Sequence, residues 1–203
     1  MEHYFTNNEN LKSELRKLCY NYENHTFSFF SDNGVFAKDK IDYASRILLE
    51  AFLRAHESNT EATILDVGCG YGFIGIVISK ILDYRLDSID INKRALHLCE
   101  RNIKENKALG HAYESNIYEN VSGEYDYIIT NPPIRAGKET VLNILKNAKE
   151  HLKIGGELWF VINKDQGAKS IKKILDAEYN IEIITKSKGF YVFKAKLDWQ
   201  IFK

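Results

Sequence analysis

The stretch ATILDVGCGYGFIG, residues 62–75, decides the fold. A short apolar run ends in an acid, Asp66; three alternating glycines, Gly68, Gly70 and Gly72, follow; and a second apolar run continues through residues 73–81. Strand, glycine loop and buried helix make up a turn whose backbone can approach a ligand that any Cβ would push away. Outward from this unit the same rhythm repeats. Upstream, from Asp39, the apolar positions Ile41, Ala44, Ile47, Leu48, Ala51, Phe52 and Ala55 recur at helical spacing. Downstream, strands are predicted at 85–89, near Ala112, and at 125–130 and 157–162, with helices at 92–106, 140–152 and 168–177. Gly155 and Gly156 break the chain before the fifth strand. Two closing strands, 181–185 and 191–195, are joined too closely for a crossover helix and predict an antiparallel hairpin. The expected fold is therefore α/β: a doubly wound, mostly parallel, seven-stranded Rossmann-like sheet with an antiparallel strand at its C-terminal edge. The aromatic segment around Phe27, Phe29 and Phe30, before the turn signal at residues 31–34, predicts a small N-terminal strand pair or flap.

Composition bounds what such a chain does. With 203 residues, 44% of them hydrophobic, 28% charged and only two prolines, one domain over 1–203 is expected, an extension (1–38) leading into an α/β core (39–203). No apolar run approaches the roughly 20 residues of a membrane span, and the first ten residues lack a basic-then-apolar leader pattern, so a soluble, cytoplasmic protein without a membrane partner is expected. Cys19, Cys69 and Cys99 are scattered, which argues against a disulfide framework or a metal site, and His97, His111 and His151 carry no partner pattern. Lys+Arg and Asp+Glu both total 28, yet residues 131–203 hold 14 Lys and Arg against 8 Asp and Glu. The molecule lacks the overall charge of a general nucleic-acid binder but retains the material for one basic side.

Asp90 ends the next strand 24 positions after Asp66, where a carboxylate can accept hydrogen bonds from both hydroxyls of a ribose. Glycine loops also serve packing alone. Together with two acids, the absence of a P-loop Lys-Ser/Thr ending and a G-x-G-x-G rather than G-x-G-x-x-G spacing, this loop favours S-adenosylmethionine over ATP or a dinucleotide. Asp66 suits the ammonium group of that molecule's amino-acid tail.

A second constellation lies at YDYIITNPPI, residues 125–134, which holds both prolines of the chain. Pro132 and Pro133 fix the backbone and offer carbonyls without N–H donors. If the Asn131 side-chain oxygen and the Pro132 carbonyl each accept one N–H of a planar exocyclic amine, its lone pair can be turned toward a methyl donor.

Four stretches, FSFFSDNGVF (27–36), LDVGCGYGFIG (65–75), SNIYENV (115–121) and DYIITNPPIRAG (126–137), resemble in order and spacing the class I methyltransferases with an N-P-P motif. More narrowly, they resemble the small methyltransferase domain of ribosomal small-subunit guanine-N2 methyltransferases. The resemblance implies a cofactor pocket lined by Asp66, Gly68, Cys69, Gly70, Gly72, Ile91 and Asn131, with Asp90 holding the ribose, Asn116 near the adenine, and a catalytic corner of Asn131, Pro132 and Pro133. It also implies RNA as partner, with ribosomal RNA or the small subunit as substrate. Where many N-P-P enzymes continue with an aromatic residue, Ile134 stands here, which leaves Phe36 to cover the target base, and Arg135 and Lys138 lie close enough in sequence to reach a phosphate. Cys69 is expected to pack behind the loop. A glutamine amide or adenine N6 as methyl acceptor, and a silent binding module, are the alternatives.

Overall fold

The structure is a computed structural model describing residues 11–197. The leader-pattern expectation for the first ten residues, and the outer ends of the 1–203 span, lie outside the described residues. The chain opens with an antiparallel hairpin, β1 (Arg16–Tyr22) and β2 (His25–Ser31). Its turn is at Glu23 and Asn24, with Glu23 at φ 49°, so the predicted turn signal at 31–34 follows the hairpin and leads toward helix α1 (Tyr43–Ala55). Period-two alternation sends Phe27 and Phe29 inward, where the rings of Phe73 and Tyr20 meet them, which makes this segment a core cover rather than a free flap.

The main sheet has seven strands in the order β5-β4-β3-β6-β7-β9-β8, with β3 (Thr63–Val67), β4 (Arg85–Asp90), β5 (Gly110–Glu114), β6 (Tyr125–Thr130) and β7 (Leu152–Asn163) parallel. The closing hairpin, β8 (Tyr179–Ser187) and β9 (Phe190–Leu197), forms one edge, with β9 antiparallel to both neighbours. Helices α2 (Phe73–Leu82) and α3 (Lys93–Glu105) cover one face with α1; α4 (Lys138–Asn147) and α5 (Ala168–Leu175) cover the other. Adjacent strand residues divide between the layers: Ile64 and Ile129 join the first, Leu65 and Ile128 the second, as expected of a parallel sheet buried on both sides.

Two predicted boundaries differ. The helix expected to reach Leu152 ends at Asn147, followed by a 3-10 turn at Ala148–His151, and β7 starts at Leu152 and continues through both glycines. A buried leucine satisfies either period, so the spacing alone extends the helix too far. No helix among the described residues is long and apolar enough to cross a membrane.

Sequence periodicity does not reveal what ties the hairpin down. Asn102 of α3, fully buried, accepts from Phe30 N (2.7 Å) and donates to Phe30 O (2.9 Å) and to Tyr71 O in the glycine loop (2.8 Å). Asn106, one helical turn on, makes the same two-way pair with Ser28. The two amides stand in for a neighbouring strand along the edge of β2. Asn102→Ala leaves three main-chain groups without partners, and is expected to destabilise the protein by about 2–4 kcal/mol, read as a fall in Tm or in the denaturation midpoint. A change below about 0.5 kcal/mol would contradict this role.

Strand order runs outward from β3 to β4 to β5, then returns to place β6 on the other side of β3. That reversal opens a crevice beyond the C-terminal ends of β3 and β6, where open α/β sheets collect ligands. The glycine loop follows β3 and the Asn-Pro-Pro corner follows β6, so topology alone brings the two constellations to the same edge.

Candidate active site

The loop after β3 hangs from β4 by Gly68 N and Cys69 N, both bonded to Ile89 O (2.9 and 3.0 Å), and from Asp90 Oδ2 by Gly70 N (2.9 Å). Gly68 and Gly70 adopt φ values of 70° and 57°, and a Cβ on either would meet no protein atom within 4 Å. It would project into open space, which marks a cradle that side chains must vacate. Gly72 is different: a Cβ there would stand 2.7 Å from Cys99 Sγ and 2.6 Å from Ile76 Cδ1. It packs on α2 and α3 behind the loop and is not among the residues lining the cavity.

Gly68, Cys69 and Gly70 line a cavity of about 370 Å³ together with Asp66, Asp90 and the Asn-Pro-Pro corner. This volume lies within the roughly 300–1,000 Å³ of small-molecule sites. Asp66 is 2% exposed, and its Oδ2 accepts from Gly75 N at 2.9 Å. Burial drives its pKa up to about 7; the Gly75 hydrogen bond opposes the rise and the charge of Asp90 adds to it. Burial also raises Asp90, against hydrogen bonds from Asn92 N (2.9 Å) and Gly70 N. Carboxylates so placed gain from a ligand bearing a cation and hydroxyl donors. Beyond Asp90, Ile91 is 38% exposed, while Ile117 sits at φ 55°, a left-handed conformation that a β-branched residue rarely adopts. Ser115 Oγ, donating to Ile117 O and accepting from Asn120 N, holds it there. Both isoleucines and Asn116, which donates to Glu119, line the same end of the cavity.

At the other end, Thr130 Oγ1 donates to Val67 O (2.8 Å), locking the end of β6 to that of β3. Asn131 Nδ2 donates to Asp42 Oδ2 (3.1 Å) and to Ser45 Oγ (2.9 Å), both at the start of α1. Both amide hydrogens are thus committed, and the side-chain oxygen is the atom left to accept from a ligand. The Pro133 carbonyl is taken by Ala136 N (2.9 Å) within the 3-10 turn Ile134–Ala136, whereas among the described residues no donor is bonded to the Pro132 carbonyl. The corner therefore offers two acceptors, side chain and main chain.

Other anticipated residues separate. Phe36, 37% exposed, borders both this cavity and a second, more open one of about 1030 Å³ that contains Ile134 and Arg135 and shares Asn131 and Pro132. Lys138 lines neither; its Nζ donates to Ser170 Oγ (3.1 Å). The Cys69 thiol is pushed well up by its contact with Cys99 and by burial, which suits packing and not nucleophilic chemistry. Asp42 and Ser45 escaped sequence analysis, and Ser115 and Ile117 lay inside the quoted stretch 115–121 without an assigned role. Asp42 announces itself only as the N-cap of α1, accepting from Ser45 N at 2.8 Å.

A cradle at the switch point of this sheet defines a Rossmann-like methyltransferase scaffold. The methyltransferase small-domain family matches residues 26–194, and the chain belongs to that family. It is similar to the Bacillus subtilis protein YbxB, 41% identical over 96% of this chain and 98% of that one. It is also 33% identical to ribosomal RNA small subunit methyltransferase C of Photorhabdus laumondii over 80% of this chain. Among solved structures, the Thermus thermophilus 16S rRNA N2 G1207 methyltransferase (RsmC), in complex with AdoMet and guanosine, superposes with a TM-score of 0.80 at 20% identity, over 93% of this chain. At that identity the likeness concerns the fold. The chain spans about half the length of these two ribosomal RNA methyltransferases, 48% and 52%.

Proposed function

We propose that the protein transfers a methyl group from S-adenosylmethionine to an exocyclic amino nitrogen, N2 of a guanine in small-subunit ribosomal RNA. The observation that carries this is the shared cavity: the glycine cradle with its two acids and the two-acceptor corner open onto one space. The methyltransferase C relatives support guanine in ribosomal RNA over other acceptors.

In this assignment Asp66 takes the ammonium group of the cofactor, Asp90 the ribose hydroxyls, Ile91 and Ile117 the faces of the adenine, and Asn116 its edge. When bound, the cofactor supplies an electrophilic methyl on a positively charged sulfur. Asn131 Oδ1 and the Pro132 carbonyl hold the two N–H groups of the acceptor amine, orienting its lone pair along the line of displacement. With the cofactor bound, displacement would form the N–C bond as the C–S bond breaks, and the nitrogen held by Asn131 Oδ1 and the Pro132 carbonyl, made acidic by alkylation, would lose its proton to water, so no strong base is needed. Asp42 and Ser45 are positioning residues: they set which end of the Asn131 amide faces the substrate.

Asp66 gives the site a pH dependence. A cationic partner favours the ionised carboxylate, so cofactor affinity is present above the raised pKa and lost as pH falls through about 7. Calorimetric titration with S-adenosylhomocysteine is expected to show binding strengthening by on the order of 10-fold between about pH 5.5 and about pH 7.5. Equal affinity across that range would remove Asp66 from the ammonium.

The test of function is methyl transfer from labelled S-adenosylmethionine to separate pools of ribosomal RNA, small-subunit particles, DNA and protein. Label in the RNA or particle pool is the expected outcome. Label confined to protein, pointing to a glutamine amide, or to N6 of adenine would overturn the substrate assignment, and absence of cofactor binding would leave a silent module.

A further inference from the structure

Beside the shared corner, the second cavity has a wall that the chemistry above does not use. Tyr43, the first residue of α1, and Phe190, the first of β9, line it with Asn131 and Pro132; their rings lie 6.0 Å apart. The Tyr43 hydroxyl and Ser187 Oγ are 2.6 Å apart, which pins the β8–β9 turn against the start of α1. Cations gather on the Tyr43 ring: Lys188 Nζ stands 4.7 Å from its centre and the Arg46 guanidinium 5.4 Å from it. Lys38, Lys40 and Arg135 line the same cavity. Among the described residues Lys40, Arg135 and Lys188 form no ion pair with a carboxylate, Arg46 stands 4.0 Å from Glu50, and of the nearby acids Asp39 is engaged by Arg16. In a chain of zero formal net charge, this concentration on the rim of one cavity is a local choice.

We propose that this wall is the track for the RNA strand flanking the target nucleotide, resting on the RNA methyltransferase assignment above. Lys188 and Arg46 contact phosphates on one side of the target base, and Lys40 and Arg135 on the other. Tyr43 and Phe190, held at the mouth of the cavity, offer ring surface to an unpaired base beside the one that enters. Aromatic rings edged by cations suit a flexible single strand, whose bases stack while its phosphates find the ammonium and guanidinium groups.

The test compares wild-type protein, Lys40→Ala/Lys188→Ala, Tyr43→Ala, and a control of equal charge change on α2 and α3, outside the cavity lining, Lys80→Ala/Lys104→Ala. Small-subunit RNA is the methyl acceptor and S-adenosylhomocysteine affinity reports an intact fold. The lysine pair is expected to raise KM for RNA by on the order of 10-fold, and to lower the slope of log affinity against log salt by about 0.7 for each phosphate no longer neutralised. Tyr43→Ala raises KM without changing that slope, and the control changes neither. If wild-type protein methylates no RNA, the functional assignment fails and the track with it. If it methylates RNA, but the lysine pair keeps wild-type KM and salt slope, or the control matches the lysine pair, the track is wrong while the assignment stands.

Discussion

Asn131→Ala is expected to lower kcat by on the order of 100-fold or more while S-adenosylhomocysteine still binds, because the lost oxygen acts on the acceptor amine during transfer. The hydrogen-bond directions provide a sharper version of the same test. Asp42 Oδ2 lies 3.1 Å from Asn131 Nδ2. In Asn131→Asp two carboxylates would face each other across that distance, and turnover should fall at least as far as in the alanine variant. Adding Asp42→Asn supplies an amide that donates where the carboxylate accepted, leaving an oxygen of the new aspartate aimed at the substrate. The double variant is expected to recover on the order of 10-fold over Asn131→Asp alone, a non-additivity that only a direct pair produces. Ser45→Ala, which removes the second acceptor, should reduce kcat more than it raises KM. Simple additivity in the exchange would contradict the positioning role of Asp42.

Asp90→Ala carries the second large effect, on binding. The carboxylate holds Gly70 N and Asn92 N at 2.9 Å each and faces the cavity with its remaining lone pairs. Its removal loosens the cradle at Gly70 and deletes the only proposed partner of the ribose. Charge-assisted hydrogen bonds of about 1.5–3 kcal/mol each translate into an affinity loss for S-adenosylmethionine on the order of 100-fold. kcat at saturating cofactor should fall far less. A dissociation constant within about threefold of wild type would place the sugar elsewhere.

What the sequence discloses here are features carried by adjacent residues. Glycines at alternate positions after an acid, and an asparagine before two prolines, are local patterns, and the α/β rhythm orders them so that both fall beyond strand ends at the switch point. Hidden features are those formed by residues distant in the chain. Asp42 and Asn131 are 89 positions apart, Asn102 and Phe30 are 72 apart, and no periodicity links either pair. Gly72 shows the opposite limit. It belongs to the glycine pattern, yet its missing Cβ makes room for Cys99 and Ile76, a packing demand indistinguishable in sequence from ligand approach. Lys138 lies near the corner along the chain, but one turn of 3-10 helix carries it to Ser170. The aromatic residues of the N-terminal hairpin alternate, and alternation decides between core and solvent only once the covering face is known.

A crystal structure of the protein with S-adenosylhomocysteine tests the central claim most directly. The sulfur is expected between the Asp66–Asp90 half and the Asn131 corner, with its former methyl direction pointing at the space between Asn131 Oδ1 and the Pro132 carbonyl. The ribose hydroxyls should lie within about 3 Å of Asp90. A ligand bound outside this cavity, or one whose sulfur turns away from Asn131, would contradict it.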